Sequence, residues 1–291
     1  MKKLIKRSPL LRRLFAPLIG YRQRAAARRL MPGLDNYSAT VRGGRIIVAP
    51  GNIDGSFIVD ARSDLAQRVV VTGSYEPGVT EILSRLRIKE DGLIVNIGAN
   101  IGFMAVYLAK QFPRSSVVAI EPNPDTFELL RQNVSHNDLT SSIECVSVCI
   151  GDQEGMVDLS IIEGKSEYSS VGGVVHSAVS NVVQRNVRVP ITTLGNVVAE
   201  RPISLLFIDV EGAEELVLRG AREILARDKP ILYFECADSL LAKFGHSAAS
   251  IETLLAEVGY SIRDGLHPNE GLRHPFDGEV LAFVGEHLPF T

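Results

Sequence analysis

From residue 93 onward, short apolar runs alternate with amphipathic segments of helical length. The runs are rich in Val and Ile, which is typical of parallel strands that are buried on both faces. They lie at Leu93–Ile97, Val117–Ile120, Ile143–Val148, Ile203–Ile208 and Ile231–Phe234. The pattern predicts helices over 102–112, 124–136 and 212–227, another within 238–258, and a closing hairpin of Tyr260–Arg263 and Glu279–Val284. This alternation predicts an open, doubly wound α/β sheet that binds its ligands at the carboxyl ends of the strands.

Before residue 93 the apolar runs are shorter and less regularly spaced. This pattern predicts strands at Arg45–Ala49, Phe57–Val59 and Val69–Val71, a turn at Pro50–Asn52 and a helix from Glu76 to Leu86. We therefore expect a small N-terminal lobe over residues 31–90 and a sheet domain over residues 91–291. Residues 153–190 are the least regular part of the chain and predict either a loop-rich insertion or short strands.

The first thirty residues carry ten Lys or Arg and no acid, although the net charge of the 291-residue chain is only −3. The spacing of Leu11, Leu14, Phe15 and Leu18 predicts a basic helical arm over residues 1–30. An anionic membrane surface is one partner for such an arm, and a merely solvated helix is the alternative. No apolar run reaches 18 residues, and three Cys are too few for a disulfide framework. We expect a cytoplasmic protein, with a peripheral position at the membrane as the variant of that expectation.

The first candidate site is the turn that follows the strand at Leu93–Ile97. Gly98 allows a sharp turn beside a ligand, and Gly102 allows the next helix to approach the sheet closely. Asn100 is a residue type that tolerates left-handed backbone geometry. The spacing is not G-x-G-x-x-G, so the dinucleotide fingerprint is imperfect. The turn predicts a ligand facing the N-terminus of the next helix.

Acids end three of the predicted strands. Glu121 lies 23 residues beyond Gly98, where an acid accepts hydrogen bonds from the ribose hydroxyls of a nucleoside cofactor. Asp209 and Glu211 follow the fourth strand, and Glu235 ends the fifth. Crowded acids raise one another's pKa, which suits a general base, whereas simple capping of the next helix is the alternative.

Six segments together resemble the FkbM family of S-adenosylmethionine-dependent methyltransferases. They occur in the family's order and cover about residues 70–235: Gly73–Pro77, Asn96–Gly102, Glu121–Pro124, Val189–Leu194, Ile208–Glu214 and Val217–Ala221. The resemblance implies a Rossmann-like class I methyltransferase fold, with a mostly parallel seven-stranded sheet and S-adenosylmethionine as the cofactor.

The resemblance also implies roles for single residues. Glu121 is expected on the ribose, the turn containing Gly98, Asn100 and Gly102 at the methionine side, and Asp152 near the adenine. The family pattern usually has Asp where this chain has Asn96. An amide still forms hydrogen bonds but lacks the charge, so we expect weaker cofactor binding or compensation by Glu76.

Methylation of an alcohol also requires a base. The candidates, in order, are Asp209, Glu211 and His176. Residues expected on the acceptor side are Tyr75, Glu76, Ser169 and Ser170. No His has metal-ligand spacing, so a dedicated metal site is not expected, although Mg²⁺ on Asp209 and Glu211 stays an alternative.

The sequence thus predicts a methyltransferase that acts on a hydroxyl of a sugar, a glycan or a secondary metabolite, and this acceptor class rests on the resemblance alone. A nicotinamide-dependent oxidoreductase and a non-catalytic cofactor-binding scaffold are the alternatives. The missing G-x-G-x-x-G motif argues against the first, and Asn96 keeps the second open. We expect no specific nucleic-acid partner, and the sequence specifies no oligomeric state.

Overall fold

The computed structural model describes residues 37–42, 44–162, 170–171 and 184–290. The strands of its first half are β1 (Tyr37–Arg42), β2 (Arg45–Val48), β3 (Phe57–Asp60), β4 (Leu93–Ile97), β5 (Ser116–Ile120), β6 (Ile143–Val146) and β7 (Cys149–Ile150). The later strands are β8 (Gly155–Ile162), β9 (Ser170–Val171), β10 (Gln184–Thr192), β11 (Ile203–Ile208), β12 (Ile231–Ala237), β13 (Ser261–Asp264) and β14 (Asp277–Phe283).

The helices lie between these strands. They are α1 (Asp64–Thr72), α2 (Pro77–Ser84), α3 (Phe103–Gln111), α4 (Pro124–His136), α5 (Leu194–Val198), α6 (Glu214–Gly220), α7 (Arg222–Asp228), α8 (Asp238–Leu241) and α9 (Ala248–Glu257). A short 3₁₀ helix, Ala242–Phe244, follows α8. None of these helices in the described part of the chain is long and apolar enough to cross a membrane.

The central sheet has seven strands in the order β13-β14-β12-β11-β4-β5-β6. All neighbouring strands are parallel except β14, which runs antiparallel to both β12 and β13. The predicted doubly wound, mostly parallel seven-stranded sheet is therefore confirmed. The parallel strands end at one edge of the sheet, where the residues after β4, β5, β11 and β12 meet.

The two faces of the sheet carry separate apolar cores. In β4, Ile94 belongs to the core on one face, and Val95 and Ile97 belong to the core on the other. The first core also contains Phe57 of β3 and Leu65 of α1, which are 0% and 6% exposed. The N-terminal strands and helices are thus packed on the sheet through shared side chains. Burial of a side chain such as Phe57 contributes about 2 kcal/mol to that packing.

The strand predicted at Val69–Val71 is wrong, because these residues belong to α1. The Ser63 side chain caps this helix by accepting a hydrogen bond from the Ala66 backbone N at 3.0 Å. Leu65, Ala66 and Val69 are buried, at helical spacing, whereas Val71 is 54% exposed. Capping and amphipathic packing have outweighed the strand preference of three consecutive valines.

The single helix predicted over 212–227 is divided in the structure into two helices, α6 and α7, which meet at Ala221. A Cβ on Gly220 would lie 1.9 Å from the carbonyl oxygen of Gly151, so the chain approaches that loop closely at the break.

The predicted strand at Ile143–Val148 ends early. The chain leaves the central sheet after Val146, and β7 joins a second sheet of order β7-β10-β8-β9. Within residues 153–190 the described residues lie mostly in strands, but β8 and β10 are 8 and 9 residues long, so the prediction of short strands holds only for the two-residue β9. The predicted basic arm of residues 1–30 lies outside the described residues.

Candidate active site

A cleft of about 350 Å³ opens at the carboxyl-terminal edge of the central sheet. Gly98 and Asn100 enter it after β4, Glu121 after β5, and Asp209 and Glu211 after β11. The segment that joins α1 to α2 covers one side of the cleft. The structure therefore brings together the predicted residues of three separate strand ends.

The turn after β4 has a backbone conformation and a packing that exclude a side chain at Gly98. Gly98 has φ of 77°, and a Cβ there would lie 1.7 Å from the carbonyl oxygen of Asp209. Asn100 also has a left-handed backbone, with φ of 48°. Gly102 does not line the cleft; a Cβ on it would lie 2.8 Å from Cδ1 of Leu130, so this glycine allows α3 to pack closely on α4.

Glu121 is held rigidly at the end of β5. The side chain is only 7% exposed, and each of its carboxylate oxygens accepts a backbone hydrogen bond at 2.9 Å, Oε2 from Asn100 and Oε1 from Asn123. Burial raises the pKa of Glu121 to about 7, against the lowering effect of those two bonds. Each oxygen retains a further lone pair for a ligand. The residue thus offers a fixed pair of acceptors in the wall of the cleft.

Asn96 lies in β4, two residues before Gly98, and is completely buried. Neither its amide nitrogen nor its amide oxygen has a hydrogen-bond partner among the described residues. An unsatisfied buried polar group costs about 1–3 kcal/mol, so the amide is a site where a polar ligand group would be stabilising. Asn96 does not itself line the cleft, although its neighbours Ile97 and Gly98 do.

Carboxylates crowd the other half of the cleft. Asp209, Glu211 and Glu235 each offer an oxygen within 4.8 Å of the others. Burial, followed by the charges of Glu235, Glu76, Glu211 and Glu279, raises the pKa of Asp209 well above its ordinary value. A carboxyl group with a raised pKa is a stronger base than an ordinary carboxylate, which suits proton transfer. The three oxygens are also ligands that a hard divalent cation accepts.

Five carboxylates line this part of the cleft, hereafter the acidic wall: Glu76, Asp209, Glu211, Glu235 and Glu279. Glu279 and the neighbouring Arg68 were not predicted from the sequence to belong to the site. Arg68 of α1 is the one basic side chain among the described residues that line the cleft, and its charge lowers the pKa of Glu76 and of Glu235. These two pKa values nevertheless remain raised, because burial outweighs that effect. Glu279 of β14 lies opposite Glu235 of β12, and its pKa is raised by burial to about 8. The cleft therefore has a strongly acidic wall with one counter-charge.

The segment of residues 73–77, hereafter the strap, carries Tyr75 and Glu76 into the cleft. The Tyr75 ring stacks on Phe103 with a centroid separation of 4.6 Å, and burial, followed by the charge of Glu76, raises the pKa of its hydroxyl well above the ordinary value. Glu76 has a left-handed backbone with φ of 42°, and its side chain does not cap α2. Its carboxylate is thus left for the cleft.

The remaining candidates are placed differently. Asp152 is exposed and does not line the cleft, whereas Ile150, two residues earlier, does. His176 and Ser169 lie outside the described residues, and only the backbone of Ser170, in β9, is described.

Residues 96–262, more than half of the chain, match the family described as the methyltransferase FkbM domain. The chain is 25% identical over 193 residues to "Methyltransferase 1" of Beauveria bassiana strain ARSEF 2860, covering 60% of this chain and 74% of that protein. It is 26% identical over 173 residues to "2-O-methyltransferase NoeI" of Sinorhizobium fredii strain NBRC 101917 / NGR234, covering 55% and 69%. A match to "Methyltransferase sdnD" of Sordaria araneosa, 26% identical over 159 residues, spans 45% of this chain and 60% of that protein.

The chain also resembles solved structures, at low sequence identity. Methyltransferase FkbM from Methylobacillus flagellatus KT has 16% identity and a TM-score of 0.42, covering 76% of this chain and 55% of that chain. TYW2 of M. jannaschii, in complex with AdoMet, has 14% identity and a TM-score of 0.44, covering 84% and 86%. The chain thus spans about half the length of the first of these structures. Because the FkbM domain matches most of the sheet and its strand ends, this protein belongs to the FkbM family of methyltransferases.

Proposed function

We propose that this protein uses S-adenosylmethionine to methylate a hydroxyl group of a sugar, a glycan or a secondary metabolite. Membership of a methyltransferase family supports methyl transfer. The observation that carries the choice of cofactor is Glu121, a buried carboxylate fixed by two backbone hydrogen bonds at the end of β5. A pair of ribose hydroxyls can donate to this acceptor pair.

The methionine side of the cofactor belongs, in this proposal, beside Gly98. Gly98 lines the cleft there without a side chain, and the buried amide of Asn96, which lies behind the lining two residues earlier, has no hydrogen-bond partner. The family's usual Asp would add a negative charge at position 96, and Glu76 supplies a carboxylate in the same cleft instead. Contact of Asp152 with the adenine remains part of the proposal, although Asp152 is exposed and Ile150 lines the cleft in its place.

Removal of the proton from the acceptor hydroxyl is assigned to Asp209. Bound S-adenosylmethionine supplies a methyl group that is already activated on a sulfonium. The chain must therefore orient the acceptor and remove its proton. Asp209 lies at the centre of the acidic wall, and its raised pKa makes it a stronger base than an exposed carboxylate. Glu211 is the second candidate, since it lies in the same group of three acids.

Transfer to oxygen is supported by two observations. One relative carries the name 2-O-methyltransferase. In addition, the acceptor half of the cleft is lined by carboxylates, which accept hydrogen bonds from the hydroxyls of a polyol. A sugar or another hydroxyl-rich acceptor fits this wall better than an anionic acceptor, which it would repel.

A labelled-methyl screen tests the proposal. The protein is incubated with methyl-labelled S-adenosylmethionine and panels of monosaccharides, oligosaccharides, hydroxylated polyketides and amines, and products are analysed by mass spectrometry. We expect label in an O-methyl ether of one hydroxylated class. Label found only on amines would contradict O-methylation, and binding of nicotinamide dinucleotide without any S-adenosylhomocysteine binding would contradict the methyltransferase proposal itself.

A further inference from the structure

A single asparagine of the N-terminal lobe brackets the backbone of Tyr75. Asn52 lies in the turn after β2, 23 residues before Tyr75. Its Oδ1 accepts a hydrogen bond from the Tyr75 backbone N at 2.9 Å, and its Nδ2 donates to the Tyr75 carbonyl at 2.6 Å. Nδ2 also donates to Oγ1 of Thr80, in the first turn of α2, at 2.8 Å. One side chain thus satisfies both backbone polar groups of the residue that precedes Glu76.

The strap needs such an anchor. A left-handed backbone is unfavourable for a residue other than glycine, so the conformation of Glu76 persists only where neighbouring contacts hold it. A second tie joins the same two segments, since the backbone N of Gly51 donates to the carbonyl of Gly73 at 2.8 Å. Asn52 is half-buried and does not line the cleft, so it cannot take part in the chemistry directly.

We propose that Asn52 is a positioning residue of the active site. By fixing Tyr75 it holds the Glu76 carboxylate in the cleft, and through Glu76 it sets the affinity for the methyl donor. This inference rests on the proposed function, because it assigns Glu76 to the donor side of that site. It also gives the N-terminal lobe a part in binding, since the turn after β2 would contribute to the site through the strap.

The chain contains a matched control for this bracket. Nδ2 of Asn137 donates to the Ser56 carbonyl at 2.8 Å, and its Oδ1 accepts from the Ser56 backbone N at 3.1 Å. The chemistry is the same as that of Asn52, and it also ties the N-terminal lobe to a neighbouring element, here the end of α4. Neither Asn137 nor Ser56 lines the cleft. A loss of stability should therefore follow from either Asn→Ala change, whereas a loss of affinity should follow only from Asn52→Ala.

The experiment compares wild type, Asn52→Ala, Asn137→Ala, Glu76→Gln and the double variant Asn52→Ala/Glu76→Gln. Calorimetry measures the Kd of S-adenosylhomocysteine, and thermal melts measure stability. Asn52→Ala should raise Kd about tenfold, because the Glu76 carboxylate would no longer be held in position to form a hydrogen bond with the ligand. Asn137→Ala should leave Kd within about twofold of wild type. It should lower the Tm by about as much as Asn52→Ala does, since it loses a similar pair of hydrogen bonds.

The double variant separates positioning from a general structural effect. If Asn52 acts through Glu76, the double variant should bind no more weakly than Glu76→Gln alone, because the two effects are not additive. The inference is overturned if Asn52→Ala keeps the wild-type Kd, if Asn137→Ala weakens binding equally, or if the two losses in the double variant multiply. A wild-type protein that does not bind S-adenosylhomocysteine would instead overturn the proposed function, and the inference with it.

Discussion

The buried carboxylate of Glu121 makes cofactor affinity depend on pH. With a pKa of about 7, the group is ionised in about one tenth of the molecules at pH 6 and in about nine tenths at pH 8. Ribose hydroxyls donate most strongly to the ionised form. Binding of S-adenosylhomocysteine should therefore release a proton below pH 7, and this residue alone should raise the affinity about tenfold between pH 6 and pH 8.

Glu121→Gln removes the charge and one of two acceptor oxygens. Both oxygens already accept a backbone N–H, from Asn100 and Asn123, so the variant amide must turn its NH₂ towards one of these donors. Loss of one hydrogen bond to a charged group costs about 1.5–3 kcal/mol. At pH 8 the Kd should rise about 10- to 100-fold, and the tenfold gain between pH 6 and pH 8 should disappear.

Calorimetric titrations with S-adenosylhomocysteine at pH 6, 7 and 8 measure both effects. Glu214→Gln is the control, because burial likewise raises the pKa of Glu214 to about 7 while the residue does not line the cleft. Glu279, with a pKa of about 8, adds a pH dependence of its own in wild type, so the diagnostic quantity is the difference between wild type and variant. A Glu121→Gln protein that retains the full tenfold gain would refute the assignment of the ribose to Glu121.

Three further predictions follow from the site and the chain before it. Asp209→Asn should lower kcat about 10²- to 10⁴-fold in the labelled-methyl assay, with the Kd of S-adenosylhomocysteine within about threefold; wild-type turnover would exclude Asp209 as the base. Gly98→Ala should destabilise the fold by about 2–6 kcal/mol in denaturant titrations, because its Cβ would lie 1.7 Å from a carbonyl oxygen at a φ of 77°, and unchanged stability would contradict that packing. Removal of residues 1–30 should leave the Kd of S-adenosylhomocysteine unchanged but weaken salt-sensitive sedimentation with anionic vesicles; loss of S-adenosylhomocysteine binding would contradict the expectation that this arm serves only to bring the protein to an anionic surface.

The central sheet could be predicted because parallel strands are buried on both faces and appear as local apolar runs. Leu93–Ile97 and Ile203–Ile208 have the predicted bounds for this reason. Val69–Val71 is the opposite case. Its residue types favour a strand, but the Ser63 cap and the spacing of the buried side chains make it a helix.

The meeting of Glu121 and Asp209 at one cleft was predictable for a related reason. Glu121 and Asp209 each follow a strand, and the ends of parallel strands meet at one edge of the sheet. The rest of the site depends on contacts between segments that are far apart in the sequence. Glu279 reaches the site through the register of β12 with β14, Arg68 through the packing of α1 on the sheet, and Asn52 contacts only the Tyr75 backbone and Thr80 beside it. Neither the register nor that packing has a local sequence signal.

The most direct test of the account is a paired calorimetric titration of the wild-type protein with S-adenosylhomocysteine and with NAD at pH 8. We predict saturable one-site binding of S-adenosylhomocysteine, lost or weakened at least tenfold in Glu121→Gln, and no binding of NAD. Binding of NAD without S-adenosylhomocysteine would contradict the central claim that this cleft holds a methyl donor.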